Sequence, residues 1–302
     1  MDGNSDHDAS EKVDVGPAVA ICPYGKRLGW RPGRIPTSEL IWPLGMPARL
    51  QGATLAGLAP TDHLILYPRR THYIRPNFGT RAQISLMIVE PEALHGKHVE
   101  KVKRFHRKFF RIFTAVDHLI EEIPNAVLLP YGTTWVPGWR DIDTTKHRMT
   151  SLIASEKDFL LGHRLRHQIA AFIAKEHLDV DVIGKGYRPF AGKWEGLAPH
   201  RFSIVIENAV QPNYFTEKLI DAILCDTVPI YLGCPNIDRY INPDGMLLCQ
   251  SREDLQAAVR SVSIDLYEEK IGHLRKSRHQ ALYYADFHER SARTLISEAW
   301  TG

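Results

Sequence analysis

Polar residues in one segment of the chain, residues 201–233, are of types that could bind an anionic ligand. Residues 202–206 form a short apolar run, which is typical of a strand buried on both faces. Glu207 and Asn208 follow that run directly, and in open α/β sheets ligands bind at the carboxyl ends of the strands. A helix is predicted to begin at Thr216, whose hydroxyl can cap the free amides, and a second strand follows it.

Lys218 lies in the first turn of this predicted helix, where the helix dipole disfavours a cation by a few tenths of a kcal/mol. A lysine beside free helical N–H groups is understandable if an anion such as a phosphate binds there. Arg164 and Arg166 lie near the start of another helix, predicted over residues 162–175. With Lys218 they could clamp a diphosphate, although surface arginines on a helix are usually only solvated.

Two other groups of polar residues can be explained without a ligand. Glu207, Asn208 and Glu217 could equally cap turns and helix ends. His163 and His167 have a spacing that can hold zinc, but the acidic residue of HExxH and an evident third ligand are missing, so no metal is predicted.

Phosphate-loop and hydrolase motifs are also missing. Residues 184–186 (GKG) match neither GxGxxG nor GxxxxGK[ST], which favours a turn that ends a strand. The chain has no Gly-x-Ser-x-Gly elbow, which argues against a serine hydrolase.

Size and charge exclude several classes of protein. A chain of 302 residues can form two domains of ordinary size, and a net charge of +3 is too small to indicate nucleic acid as the main partner. No segment approaches the roughly 18 uninterrupted apolar residues of a membrane span, and no signal peptide is evident. We therefore expect a cytoplasmic protein whose four cysteines are free thiols, because they lack metal-ligand or disulfide spacing.

Apolar strands alternate with helical or loop segments throughout the chain, which predicts parallel α/β domains. Strands are predicted at residues 18–22, 63–67, 84–89, 111–114, 126–129, 152–154, 180–183, 202–206 and 230–232, and a linker at residues 137–150. The predicted division is a disordered acidic tail (1–16), a first α/β domain (17–145), a second, nucleotide-binding α/β domain (146–265) and carboxy-terminal helices (266–302).

Residues 95–111 are densely basic with interleaved aromatic residues. The simpler interpretation is a solvated helix with one apolar face. The alternative is a patch that contacts an anionic membrane surface or a charged acceptor.

Three motifs occur in order: Glu207-Asn208 at a strand end, YFTEK at residues 214–218, and VPIYLG at residues 228–233. Together they resemble the signature of the α1,3/α1,4-fucosyltransferases, glycosyltransferase family 10. The similarity covers residues 150–255 well, whereas the amino-terminal half is matched only by pattern, chiefly a strand that ends in Glu90.

The resemblance implies a glycosyltransferase B-type α/β fold, with two doubly wound, Rossmann-like domains facing a cleft. The first domain would bind the acceptor, the second the donor GDP-fucose, and the carboxy-terminal helices would return to the first domain. Arg164 or Arg166 with Lys218 would hold the diphosphate, and Asn208, Tyr214 and Glu217 would contact the rest of the donor. Thr216 and Glu207 complete the predicted donor-binding set, with Glu207 mainly supporting this loop.

The resemblance also implies an inverting transfer of L-fucose that requires no metal and no cofactor. Inversion needs a general base, and Glu90 is the candidate because it ends an apolar strand of the acceptor domain; Glu92 is second. A carboxylate that only stabilises its own strand end is the alternative.

Some features depart from the family. Ala209 stands where many members have Ser or Thr, and the membrane anchor of the animal enzymes is missing, which indicates a bacterial-type soluble member. We therefore expect an α-fucosyltransferase whose partners are a nucleotide sugar and a glycan or glycolipid acceptor of the surface polysaccharide or lipopolysaccharide type. The alternatives are a different GDP- or UDP-sugar donor, or a non-catalytic nucleotide- or carbohydrate-binding protein.

Overall fold

The structure, a computed structural model, describes residues 16–299, with side chains to residue 297. The predicted disordered tail therefore lies, apart from Gly16, outside the described residues. The described strands are β1 (Val19–Ile21), β2 (His63–Leu66), β3 (Gln83–Ile88), β4 (Ile112–Thr114), β5 (Ala126–Leu128), β6 (Arg148–Ile153), β7 (Val180–Ile183), β8 (His200–Ile206), β9 (Val228–Leu232) and β10 (Leu247–Leu248). The α-helices are α1 (Arg70–Ile74), α2 (Glu92–Phe105), α3 (Asp117–Glu122), α4 (Leu161–Lys175), α5 (Glu217–Leu224), α6 (Arg252–Ser261), α7 (Ile264–Tyr283) and α8 (Phe287–Ala299).

The first domain is a five-stranded parallel sheet with its strands in the sequential order β1-β2-β3-β4-β5. Right-handed crossovers in that order place all the connections on one face, where Val99, Val102 and Leu119 of α2 and α3 are fully buried. The opposite face packs against α8, whose Leu295 is buried in the same apolar cluster as Ile21 of β1.

The second domain is also a five-stranded parallel sheet, in the order β10-β9-β8-β6-β7. Its strand order reverses between the neighbours β6 and β8, so this sheet is doubly wound and has a topological switch point. The two predicted parallel α/β domains are therefore present, and only the second shows the reversal.

The start of the second domain differs from the prediction. β6 begins at Arg148, inside the predicted linker, and lies within the sheet between β8 and β7. Polar residues explain why its start was not predicted: Ser151 is fully buried, and its hydroxyl donates to the hydroxyl of Ser203 on β8 at 3.0 Å. An interior strand can therefore carry polar residues when their hydrogen bonds are made inside the sheet.

The carboxy-terminal helices do not return to the first domain together, which corrects the prediction for residues 266–302. α7 packs against α5 of the second domain, because its buried residues Tyr267, Ile271 and Leu274 belong to that domain's apolar core. Only α8 crosses to the first sheet. No helix within residues 16–299 is long and apolar enough to cross a membrane.

Two residues of the loop between β8 and α5 make polar contacts with the first domain beside the cleft. The side-chain amide of Asn213 donates to the carbonyl of Ala115 at 3.4 Å and also contacts Asp117 at the start of α3. The side-chain carbonyl of Gln211 accepts from the backbone N–H of Glu92 at 3.1 Å. The loop between β8 and α5 therefore rests on the carboxyl edge of the first sheet, which brings the two edges face to face.

Candidate active site

A cavity of about 540 Å³ lies at the switch point of the second sheet, beyond the carboxyl ends of β6 and β8. This is the position where doubly wound sheets bind nucleotides. Its polar and charged lining comes from four parts of the domain: Ser155 and Lys157 after β6, His163 and Arg166 of α4, Lys193 of a loop, and Asn208, Glu217 and Lys218 around the start of α5.

Glu207 joins the end of β8 to the start of α5. Its side chain is almost fully buried, and its two carboxylate oxygens accept from the backbone N–H and the hydroxyl of Thr216, each at 2.8 Å. Thr216 is also the N-cap of α5, since its hydroxyl oxygen accepts from the backbone N–H of Lys218 at 3.4 Å. Burial raises the pKa of Glu207, which Lys218 opposes. Glu207 therefore supports the loop, as the sequence predicted, and does not line the cavity.

The ammonium group of Lys218 is held among oxygen atoms. Its Nζ lies 3.1 Å from the Thr216 hydroxyl, 3.2 Å from the Glu217 carboxylate and 3.7 Å from the Glu207 carboxylate. Two carboxylates thus compensate the cation that the helix dipole disfavours. The side chain remains 24% exposed at the cavity, so that its charge is fixed in place and open to a ligand.

Glu217 also belongs to a second group of ion pairs, whose other members, Lys193 and Asp221, were not predicted from the sequence. Lys193 lies 3.4 Å from the Glu217 carboxylate and 2.9 Å from that of Asp221, one turn further along α5. Although burial raises it, the pKa of Glu217 is lowered to about 2 by Lys218 and Lys193. Glu217 is therefore an anion fixed between two cations.

Lys193 and Asp221 carried little signal in the sequence. Lys193 lies in a loop without a motif, and it contacts the exposed ring of Trp135, which sequence reasoning also missed. The only usable sign was the spacing of Glu217 and Asp221, which places two acids four residues apart on a helix whose remaining residues, except Lys218, are apolar.

The two candidate arginines of α4 occupy different environments. Arg166 is buried and donates through Nε and Nη2 to the carbonyl of Ile206, at 3.1 and 2.6 Å, and through Nη2 to the side-chain oxygen of Asn208 at 2.8 Å. Both Arg166 and Asn208 line the cavity. Arg164 is exposed, donates to the backbone carbonyls of residues 158 and 159, and does not line the cavity. The structure therefore brings Arg166, and not Arg164, together with Lys218.

Gly162 allows α4 to approach the end of β8 closely. A Cβ atom at this position would lie 1.9 Å from the carbonyl oxygen of Glu207, which is a severe overlap, and its backbone N–H donates to the carbonyl of Asn208 at 3.2 Å. Any larger residue would push the first turn of α4, and Arg166 with it, away from the cavity.

Tyr214 is buried beside the cavity rather than in its lining. Burial raises the pKa of its phenol well above the usual value, and the carboxylates of Glu207, Glu90 and Glu217 raise it further. Tyr214 is therefore a neutral hydroxyl surrounded by acids from both domains.

Glu90 faces the second domain from the end of β3. Burial raises the pKa of its carboxyl group, Lys218 lowers it, and Glu217 raises it, so Glu90 lies within electrostatic reach of two residues of the cavity. Glu92 lies in the first turn of α2, with its carboxylate 3.8 Å from His118 of α3.

The histidines of α4 are separated by their partners. Nδ1 of His163 accepts from the backbone N–H of Leu160, at 3.4 Å, whereas His167 contacts the Tyr187 hydroxyl at 2.7 Å and the carbonyl of Lys157 at 2.9 Å. Among residues 16–299 no group of three or more His, Cys, Asp or Glu side chains is arranged to hold a metal ion.

Similarity to known proteins follows this division of the chain. Residues 144–264 match the family described as glycosyltransferase family 10 (fucosyltransferase), C-terminal part. Over 97 residues the chain is 34% identical to 4-galactosyl-N-acetylglucosaminide 3-alpha-L-fucosyltransferase FUT6 of Pongo pygmaeus, a match that covers 30% of this chain and 27% of that protein. It is 33% identical to human 3-galactosyl-N-acetylglucosaminide 4-alpha-L-fucosyltransferase FUT3, with 30% and 27% covered. The chain thus spans about a quarter of the length of the curated relatives that it matches.

Among solved structures, S. aureus TarM in complex with fondaparinux, alpha-GlcNAc-glycerol and UDP is similar with a TM-score of 0.52 and 11% identity, over 80% of this chain and 55% of that one. The two facing parallel domains, with a cavity at the switch point of the second, define the glycosyltransferase B fold. Within that fold, residues 144–264 of the second domain are similar in sequence to glycosyltransferase family 10.

Removing the Thr216 hydroxyl tests how the site is held together. Thr216→Ala removes an N-cap, which costs about 1 kcal/mol, and leaves the buried Glu207 carboxylate without one donor, which costs a further ~1–3 kcal/mol. Chemical denaturation measures the free energy of unfolding. Thr216→Ser should retain most of it.

The matched control is Ser263→Ala, which removes only the N-cap of α7. That variant should lose about 1 kcal/mol. If Thr216→Ala loses no more stability than Ser263→Ala, the bond to Glu207 does not have the role assigned to it.

Proposed function

We propose that the protein is an inverting glycosyltransferase that moves L-fucose from GDP-fucose to a hydroxyl group of a glycan acceptor. The observation that supports this most directly is a nucleotide-sized cavity with fixed cations, Lys218 and Arg166, facing a carboxylate of the other domain, Glu90. The match of residues 144–264 to a fucosyltransferase family supports the choice of donor.

In this proposal the diphosphate of the donor binds against Lys218 and the N–H groups at the start of α5. As the bond from the sugar to the diphosphate breaks, negative charge grows on the departing GDP, and fixed donors stabilise that charge without reorganisation. Within residues 16–299 Arg166 has hydrogen bonds through Nε and Nη2 only, so its Nη1 is available for the donor. Asn208, Glu217 and Tyr214 would contact the remaining parts of the donor, and the reaction would need no metal and no cofactor.

Glu90 is proposed as the general base. The acceptor oxygen forms a bond to the anomeric carbon while its proton passes to the Glu90 carboxylate, and GDP leaves from the opposite face, which inverts the configuration. A base works best when its pKa lies near the working pH, and burial of Glu90 shifts its pKa in that direction.

The acceptor is proposed to be a surface polysaccharide or lipopolysaccharide type of glycan, and the enzyme is proposed to act in the cytoplasm. A different GDP- or UDP-sugar donor is the nearest alternative, since the cations would hold any sugar diphosphate. A non-catalytic binding protein of the same fold is the alternative from another class, and only turnover separates it from the enzyme.

The donor is tested by ligand-induced stabilisation in a thermal-shift panel of GDP-fucose, GDP-mannose and UDP-sugars. GDP-fucose should stabilise the protein most, because stabilisation grows as the ligand concentration exceeds its Kd. Lys218→Ala should weaken GDP binding about ten- to hundredfold, since a hydrogen bond to a charged group is worth roughly 1.5–3 kcal/mol. The matched control is Lys185→Ala, an exposed lysine paired with Glu156. Unchanged GDP affinity in Lys218→Ala would contradict the phosphate assignment.

The base is tested with Glu90→Gln, which keeps the shape of the side chain but cannot accept the proton. Transfer from GDP-fucose should fall about 10²- to 10⁴-fold, the usual contribution of a general base, while GDP affinity is retained. In the wild type, kcat/KM should fall as the pH drops through the raised pKa of Glu90, because the protonated acid cannot act as a base. The control, Glu92→Gln, should remain active. A fully active Glu90→Gln variant, or binding of GDP-fucose by the wild type without any turnover, would contradict the proposal.

Contact with an anionic membrane surface through residues 95–111 is a further part of the proposal. Some cations of the segment are engaged within the domain: Lys103 lies 2.9 Å from a carboxylate oxygen of Glu122, and Lys108 donates to the backbone carbonyl of Tyr73 at 3.3 Å. Lys97, Arg104 and Arg107 are exposed and form the remaining basic surface.

Co-sedimentation with vesicles of phosphatidylserine tests this contact. The double variant Arg104→Gln/Arg107→Gln should bind about tenfold more weakly or worse, because each basic residue near an anionic surface contributes about 1 kcal/mol. The control is Arg31→Gln/Arg34→Gln, which removes the same charge from other exposed positions of the domain. Equal binding of both double variants and the wild type would show that residues 95–111 do not provide the contact.

A further inference from the structure

A second cavity, of about 330 Å³, lies in the first domain beyond the carboxyl ends of β1 and β2. This edge of the sheet also carries Glu90, at the end of β3. The side chains that decide its chemistry are Tyr24, Tyr67, Arg69, Arg70, His95 and His98. Its lining comes from the loops after β1 and β2, the start of α1, and α2, none of which belongs to the second domain.

The cavity is positively charged. Arg70 is exposed, Arg69 is partly exposed and contacts the carbonyl of Gly25, and neither forms an ion pair with a carboxylate within residues 16–299. Burial lowers the pKa of His95 to about 4 and also lowers that of His98, so both imidazoles are neutral at pH 7 and the charge comes from the two arginines. Unpaired guanidinium groups at the mouth of a cavity suit a carboxylate or a phosphate, which they can bind through two parallel hydrogen bonds.

Two aromatic side chains, Tyr24 and Tyr67, line the cavity beside the arginines. The ring of Tyr24 is 62% exposed and packs edge-on against Tyr67, with 4.9 Å between the ring centroids. Tyr67 is in turn fixed by its hydroxyl, which lies 2.6 Å from Nε2 of His288 on α8. The exposed ring is therefore held rigidly and offers an apolar face with a polar tip, against which a sugar ring can pack.

Tyr24 is within electrostatic reach of both Glu90 and Arg69. Burial raises the pKa of its phenol, the Glu90 carboxylate raises it further, and Arg69 lowers it. Tyr24 and Arg69 line the same cavity, and Glu90 follows β3 at the same edge of the sheet. A sugar ring packed on Tyr24 would have one edge near Glu90 and the other near the guanidinium groups. An anionic substituent must point to the arginine edge, because Glu90 would repel it.

We propose that this cavity is an acceptor subsite, and that the sugar it receives carries an anionic group, a carboxylate or a phosphate, bound by Arg69 and Arg70. The sugar stacks on Tyr24 and presents a hydroxyl group to Glu90. This inference rests on the proposed function, because a sugar bound here is an acceptor only if the protein transfers a sugar to it. Binding of an anion in the cavity does not depend on that transfer. Acceptor selection is thereby assigned to charge recognition in the loops after β1 and β2.

The test uses three matched probes on the GDP-saturated protein: methyl β-D-galactopyranoside, the corresponding galactosiduronate, and its 6-phosphate analogue. Binding is measured by ligand-observed NMR titration. The wild type should bind at least one anionic probe about tenfold more tightly than the neutral one, the size of one charge-assisted hydrogen bond, and the stronger of the two identifies the group as carboxylate or phosphate. Arg69→Gln and Arg70→Gln should each reduce this preference.

The control is Arg107→Gln, which removes an exposed positive charge from the same domain outside the cavity and should keep the full preference. Equal binding of neutral and anionic probes by the wild type, no binding of either anionic probe, or a preference that persists in both cavity variants would each overturn the inference. GDP-fucose binding and hydrolysis by the wild type are measured separately, so that a failure of the donor assignment is distinguished from a failure of the subsite.

Discussion

The buried carboxylate of Glu207 is the interaction on which the site depends. A charged group without water is costly to bury, and this one is stabilised by two hydrogen bonds from Thr216 and by the nearby ammonium of Lys218. Glu207 lies at the end of β8, and Thr216 and Lys218 lie at the start of α5. The contacts that stabilise the buried carboxylate therefore fix the angle between this strand and this helix, and they also fix the position of the Lys218 side chain. The lysine is thus positioned before any ligand arrives, which lowers the entropic cost of binding.

The cations of the cavity are balanced by acids in a regular way. Glu207 is near both Arg166 and Lys218. Lys193 is near Glu217 and Asp221, so positive and negative side chains alternate from α4 to α5. A diphosphate binding at Lys218 would compete with carboxylates rather than with water. Sites of this kind favour ligands with concentrated negative charge, since a weaker anion gains too little to replace the existing contacts.

The sequence predicted the second domain well and the first domain only in outline. Apolar runs located nine of the ten described strands, and the two-residue β10 was not predicted. β6 begins four residues before its predicted start at residue 152, because its buried Thr150 and Ser151 are polar. Motif spacing located Glu207, Thr216 and Lys218, because short-range geometry at a helix start depends on neighbours in the chain. It could not distinguish Arg166 from Arg164, since that difference depends on which face of α4 meets β8. Lys193 and the cavity at Tyr24 depend on contacts between distant loops, and no local pattern encodes them.

The path of α8 has a consequence for how the molecule is made. Phe287, Ala292 and Leu295 fill the second face of a sheet whose first strand begins at Val19, so that face stays uncovered until the whole intervening domain has left the ribosome. The first domain to be synthesised is therefore the last to be completed. Tyr67 of that domain contacts His288 of the same helix, so this part of the first domain is also completed only after the second domain has been synthesised.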